Sequence, residues 1–304
     1  MASSDMTSRT SSPSTADAID AIDNDAVSAP LLPAATTRLP PARVYPRPGS
    51  GKTLGVTVAT IIILFLGWWL ITARAWVAPL FLPSPAAVWN AAVQAWSGNV
   101  QGGLPLIQHL AWSLLRVFGA FVLAAITAVP LGLLMGTSRI VRGIFDPLLE
   151  FYRPLPPLAY LPLIVIWFGI DETAKILLIY LACFAPIAVA TRAGVAGVLS
   201  EQLHAALSMG ASSWQLLRHI LLPAALPDIL TGLRIAIGFG WTTLVAAEMV
   251  AATAGVGQLV LNASNFLRTD VVIMGIVLIG IVAYLFDLIM RRLEQKLVPW
   301  KAHR

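Results

Sequence analysis

Residues Val117–Ser138 read VFGAFVLAAITAVPLGLLMGTS, a run without one charge, closed by Arg116 on one side and Arg139 on the other. The run passes the roughly 20 residues an α-helix needs to cross a bilayer. Working outward from it, five more apolar runs appear. Leu54–Ala73 is uncharged and closed by Arg74, with Trp68, Trp69 and Trp76 around one end as interfacial aromatics. Pro154–Ile170 is shorter and opens on Pro154-Leu155-Pro156-Pro157, so its start is expected to be irregular. Lys175–Thr191, Leu230–Ala252 and Val271–Met290 complete the set, with Arg234 and Glu248 inside the fifth and Asp287 inside the sixth. The reading predicts an all-α integral membrane protein, with six transmembrane helices within residues 54–300.

Composition agrees. Hydrophobic residues make up 58% of the chain and charged residues 12%, against roughly 25% charged in soluble domains. Residues 1–53 hold ten of the 35 charges, which leaves 25 for the other 251 residues. So few charges cannot solvate the surface of a globule. A water-soluble enzyme, a disordered regulator and a fibrous protein are excluded.

Residues 1–53 are rich in Ser, Thr, Ala, Pro and Asp and have no apolar stretch. They are expected to form a disordered cytoplasmic tail, without a cleaved signal peptide. Within them Gly49-Ser50-Gly51-Lys52-Thr53 imitates the end of a phosphate-binding loop, but Pro46 stands where the first glycine belongs and no strand precedes it. Nucleotide binding is therefore not expected of this chain.

Orientation follows from Lys and Arg. With the N-terminus cytoplasmic, sixteen fall on the inner side, Arg139, Arg142 and Arg153 among them. Four (Arg74, Arg116, Lys175 and Arg268) fall on the outer side. Both termini are expected in the cytoplasm. The net charge of +5 is explained by this asymmetry, and no nucleic-acid partner is expected. Small residues recur at four-residue intervals, Gly132 with Gly136 and Gly232 with Ala236 and Gly240, which suits close helix packing within the chain or between subunits.

Catalytic and cofactor constellations fail one by one. His109, His204, His219 and His303 show no metal-ligand spacing, and Cys183 sits in an apolar run with no base nearby. Gly255-Val256-Gly257 lacks the third glycine and the preceding strand of a dinucleotide site. No cofactor is expected in this chain. Of the ionisable residues in the spans, Arg234 and Asp287 lie near inner ends, where each can snorkel. Glu248 and Arg116 lie near outer ends and form no relay of acids and bases; Arg116 reads as an interfacial anchor that could also attract an anion. With Trp241 these two are the candidate pathway residues.

The loop at about 200–223 carries the most specific pattern. It runs His204-Ala205-Ala206-Leu207-Ser208-Met209-Gly210-Ala211, then Ile220-Leu221-Leu222-Pro223. The alanines favour a short helix, Gly210 ends or bends it, and Pro223 and Pro227 punctuate the return to the membrane. A short helix of small residues with a glycine bend suits docking into a partner's groove.

This loop resembles the "EAA" motif of membrane subunits of bacterial ATP-binding-cassette importers, with Ala205, Ala206, Gly210, Ile220, Leu222 and Pro223 at the motif positions and His204 in place of its glutamate. Tyr152-Arg153-Pro154-Leu155-Pro156-Pro157, Ile166-Trp167-Phe168-Gly169-Ile170-Asp171-Glu172, Val245-Ala246-Ala247-Glu248 and Leu297-Val298-Pro299-Trp300 are similar to the taurine, alkanesulfonate and nitrate permeases, nearest the taurine members. The resemblance covers roughly residues 55–300. It implies a six-helix permease of the bacterial inner membrane that hydrolyses nothing itself. It further implies a homodimer with two ATP-binding subunits and a periplasmic substrate-binding protein, carrying a small sulfonate, taurine foremost. An alkanesulfonate or nitrate is the alternative solute, and an ATPase-independent secondary transporter the alternative class. The loop would then couple the ATPase to transport.

Overall fold

The structure, a computed structural model, describes residues 54–100 and 103–299. The tail at 1–53, its phosphate-loop imitation and Trp300 lie outside the described residues. Contacts divide the chain after Thr57, and of the first unit only Leu54–Thr57 are described, as the opening turn of a helix.

Among the described residues the chain is helical, with no strand. The helices are α1 Leu54–Ala73, α2 Pro85–Trp96, α3 Leu106–Thr137, α4 Arg139–Tyr152, α5 Pro157–Phe168, α6 Glu172–Ala196, α7 Ser200–Ser208, α8 Ser213–Leu216, α9 Leu222–Ala251, α10 Val256–Asn265 and α11 Thr269–Leu297. A π-helical turn, Leu217–Leu221, joins α8 to α9. Five stretches are long and apolar enough to cross a membrane: Gly55–Ala73, Leu106–Thr137, Glu172–Ala196, Ser213–Ala251 and Thr269–Leu297.

Helices α3, α6 and α9 make the centre, and small residues sit where their backbones meet. A Cβ on Gly132 would fall 2.5 Å from Thr191 Cβ, and one on Gly136 2.5 Å from Val195 Cβ, so α3 rests directly on α6. One on Gly240 would fall 2.9 Å from the Sγ of buried Cys183, which brings α6 against α9. Lipid is as apolar as these helices, so close packing has to supply the association that water exclusion supplies elsewhere. The four-residue spacing of glycine and alanine serves packing inside this chain.

The crossing expected at Pro154–Ile170 takes another form. Helix α5 has 12 residues, about 18 Å at 1.5 Å per residue, and the hydrocarbon core is about 30 Å. Helix α4 supplies the missing length. Asp146 of α4 pairs with Arg192 near the C-terminal end of α6, and the Tyr152 hydroxyl donates to the Leu181 carbonyl near its middle. Leu161 and Ile164 of α5 pack with Ala174 and Leu178 near its N-terminal end. The α4–α5 pair thus runs antiparallel to α6, as one span broken at Arg153–Pro156. Pro154, Pro156 and Pro157 remove donors; Arg153 still holds helical angles, but Pro156, before Pro157, is extended at φ −63° and ψ 133°, which makes the break.

Other boundaries shift outward, and at Arg116, Glu172 and Lys175 the reason is that partners let helices continue through charge that ended the apolar runs in the sequence. Helix α3 starts at Leu106 instead of Val117, α6 holds Glu172 and Lys175, α9 starts at Leu222 instead of Leu230, and α11 runs on to Leu297. Pro223 opens α9, whereas Pro227, expected to punctuate the return, lies inside it. The short helices α2 and α10 had no counterpart among the expected spans; they pack on α11 through Ala91, Ala95, Leu259, Ala263, Val271 and Met274.

Candidate functional site

At the end of the bundle away from α7 and α8, four charges meet, three of them buried and Glu172 partly exposed. Arg116 of α3 places Nη1 2.8 Å from Glu248 Oε1 of α9, and forks Nε and Nη2 onto Glu172 of α6 at 2.6 and 2.8 Å. Lys175 Nζ lies 2.6 Å from the same Glu172. Glu248 is fully buried and also accepts from Ser113 Oγ at 2.7 Å and the Gly257 N–H at 2.9 Å. Two cations and two anions leave the cluster neutral, and each buried charge has hydrogen-bonded partners, the condition for tolerable burial. The interfacial anchor expected of Arg116 is corrected: its side chain is 3% exposed and its charge is taken up by carboxylates. Arg116 and Glu248, named separately as candidate pathway residues, are one pair.

The same cluster closes the start of α10. The Gly255 N–H donates to His109 Nδ1 at 3.0 Å, and the Val256 N–H to Ser113 Oγ at 2.9 Å, so side chains of α3 meet donors that a helix start leaves open. Gly255 has φ +144°, and a Cβ there would overlap the Glu248 carboxylate. The glycine pair that fails as a dinucleotide fingerprint is thus a helix cap fitted to a carboxylate. Sequence reasoning missed this cluster, although His109, Ser113 and Arg116 stand at i, i+4 and i+7, one face of a helix.

Trp241 lies a few turns along α9. It lines a cavity of about 510 Å³ with Arg234, Thr242, Val245, Ile279 and Asp287. Its indole N–H is buried without a hydrogen-bond partner among the described residues. A narrow gap of about 10 Å³ between Trp241, Ser113 and Glu248 sets it beside the charge cluster. Arg234 and Asp287, expected to snorkel separately, pair at 2.6 Å, and Asp287 also accepts from Arg291 at 2.8 Å.

The opposite end carries the loop. His204, Ala205 and Ala206 lie on α7; His204 and Ala205 are exposed and Ala206 is buried. The Gly210 N–H donates to the Leu207 carbonyl at 2.9 Å and the Ala211 N–H to the Ala206 carbonyl at 3.0 Å, the paired bonds of a Schellman ending. That ending needs a left-handed residue, and Gly210 supplies it with φ +80°. Ser212 and Gln215 then form a capping box that starts α8. Ile220 falls in the π-helical turn, and Leu222 and Pro223 open α9. Leu207, Met209 and Trp214 project from this corner, Met209 at 83% exposure.

Fold and loop together define an integral membrane component of a transport system. The chain belongs to the family of binding-protein-dependent transport system inner membrane components, whose signature matches residues 128–299. It is 50% identical over 249 residues to the taurine transport system permease protein TauC of Escherichia coli, covering 82% of this chain and 90% of that one. It is 37% identical over 233 residues to the aliphatic sulfonates transport permease protein SsuC of Escherichia coli, covering 77% and 87%. An inward-facing structure of the MetNI methionine ABC transporter matches with a TM-score of 0.53 at 21% identity, over 61% of this chain and 92% of that chain. The fold is that of an ABC importer permease, and this chain is the permease subunit; ATP hydrolysis belongs to the partner subunit.

Proposed function

We propose that the chain carries a small sulfonate, taurine foremost, across the bacterial inner membrane. The observation that carries this reading is the 50% identity to a taurine permease over nine-tenths of that protein's length. The alkanesulfonate alternative has less support, at 37% identity to the sulfonates permease. The chain works as a homodimer with two ATP-binding subunits and a periplasmic binding protein, and needs no cofactor of its own. Both termini lie in the cytoplasm, which puts α7 and α8 on the ATPase side and the Arg116–Glu248 cluster on the periplasmic side.

In this reading His204, Ala205, Ala206, Gly210, Ala211, Ile220, Leu222 and Pro223 form the coupling element. The rigid Schellman corner, with Leu207, Met209 and Trp214 exposed on it, suits insertion into a groove of the ATPase. Closure of the ATPases moves this corner, and α9, continuous with it through the π-helical turn, carries the movement into the bundle. The transport cycle is then a shift between outward- and inward-open states. Arg116 and Glu248 position helices, and Trp241 lines the path. Growth of a permease-deleted strain on taurine as sole sulfur source tests the solute: loss of growth, restored by this gene, is expected. Undiminished growth without any second uptake system removes the sulfonate assignment.

A further inference from the structure

The broken span encloses a second cavity, of about 190 Å³, lined among others by Tyr152, Arg153, Tyr160, Leu181, Pro186 and Phe239. That is room for several waters or a solute of a few heavy atoms. Its depth follows from its walls. Leu181 and Pro186 flank the midpoint of α6 (Glu172–Ala196), and Phe239 lies near the midpoint of α9 (Leu222–Ala251). The cavity therefore sits halfway through the bundle, and Arg153, counted with the inner charges in the sequence, sits there too.

Arg153 is unlike the other arginines at membrane depth. Arg116, Arg192 and Arg234 each have a carboxylate partner. The Arg153 side chain is exposed and makes no ion pair or hydrogen bond with any described residue. An unpaired guanidinium at mid-depth is not stable against lipid, so the face it occupies must meet water or a partner charge. Around it, Pro157 leaves the Arg153 carbonyl without its i+4 donor, and the Tyr152 and Tyr160 hydroxyls stand 3.4 Å apart. Planar donors, hydroxyls and a bare carbonyl are what a sulfonate with an ammonium tail requires: the guanidinium fork for the sulfonate oxygens, the carbonyl and rings for the cation. Broken helices at mid-depth are where transporters commonly place such sites.

We propose that the break at Arg153–Pro156 is a solute-binding site, with Arg153 contacting the anionic head group and Tyr160 beside it. The site rests on the proposed function for the identity of its solute, but not for its existence. It is a weak, single-cation site, since a carrier must release what it admits.

The test uses the whole complex in proteoliposomes, with Arg153→Gln and Arg153→Lys. Arg153→Gln is expected to lower uptake of labelled taurine at least tenfold while ATPase activity still responds to the loaded binding protein, and Arg153→Lys to retain part of the uptake. Wild-type uptake by Arg153→Gln overturns the site. If the unaltered complex carries nitrate instead of taurine, the solute assignment fails alone. The site is then judged on nitrate, where loss of uptake in Arg153→Gln supports it and unchanged uptake overturns it. Should Arg153→Gln not assemble, Phe239→Cys in a Cys183→Ser chain replaces it. Labelling by a charged, membrane-impermeant thiol reagent, slowed by the transported anion, is expected; no labelling means lipid covers this face and overturns the site.

Discussion

Glu248 reaches Arg116 at 2.8 Å with its Oε1 and the Gly257 N–H at 2.9 Å with its Oε2, so one carboxylate ties α9 to α3 and to the start of α10. Removing Glu248 leaves Arg116 with Glu172 but gives the cluster a net positive charge and takes the acceptor from the Ser113 hydroxyl and the Gly257 N–H, a cost of up to about 3–5 kcal/mol. Glu248→Ala should therefore lower the thermal midpoint of the purified complex by many degrees. Glu172 is 44% exposed but holds the buried Lys175 and two nitrogens of Arg116; Glu172→Gln keeps an oxygen to accept from them and should cost less than Glu248→Ala. Equal midpoints for the two variants would show that burial does not set the value of this network.

Gly210 offers a test of the loop. A β-branched residue in left-handed geometry is strained by roughly 1–3 kcal/mol, and no atom lies within 4 Å of the position a Cβ would take. Strain without a clash predicts that Gly210→Val opens the corner but leaves the membrane bundle folded. ATPase activity should stop responding to the loaded binding protein, Gly210→Asn should keep part of the response, and His204→Ala should be milder than either. A Gly210→Val complex that assembles and transports at the wild-type rate would refute a coupling role.

Gly119 and Gly132 share α3 and make a matched pair. Nothing lies within 4 Å of a Cβ on Gly119, whereas one on Gly132 meets Thr191 Cβ at 2.5 Å and the Ala188 carbonyl at 2.7 Å. Alanine at 119 should be neutral or stabilising by up to about 1 kcal/mol. Alanine at 132 should destabilise by about 1–3 kcal/mol, since α3 would have to move off α6. Comparable melting of the two variants would contradict the packing described.

Topology can be checked with reporter fusions. Taking Arg153 into the bundle leaves fifteen basic residues for the inner side, and Arg116 and Lys175, counted outside, are held by carboxylates. Arg268 is held likewise, by Asp270 at 2.9 Å, so Arg74 remains as the outer cation of that count without a carboxylate partner among the described residues. Fusions after Arg304 should report cytoplasm, and one near Ser97 periplasm. The reverse pair of results would overturn the orientation.

The long uncharged runs were legible from residues alone, because an apolar stretch of bilayer length has few other uses. Their ends were not. Arg116 and Glu172 looked like borders because pairing between distant residues leaves no mark on local hydropathy, yet it lets a helix continue through charge. Helix α4 fell between the expected spans for the same reason: it carries Arg142 and Asp146, but Asp146 is held by Arg142 and Arg192 while Ile140, Ile144 and Leu148 carry its exposed face. The loop glycine was read correctly as a helix stop, since its backbone requirement is local. The bonds of His109 and Ser113 to the start of α10 join residues more than a hundred positions apart, and only the spacing of His109, Ser113 and Arg116 hinted at them.

The neutrality of the Arg116–Glu172–Lys175–Glu248 cluster has an electrical consequence. A membrane potential does work of about 2.3 kcal/mol per elementary charge moved through 100 mV, but it acts on net charge. A layer of two cations and two anions that shifts as a unit between outward- and inward-open states feels almost none of it. The same holds for Arg234 with Asp287. Among the described residues of the broken span, Arg153 and, one turn before it, Glu150 have no ion-pair partner. Sensitivity to voltage should therefore be sought at this break, where an anion seated on Arg153 would change the net charge that moves.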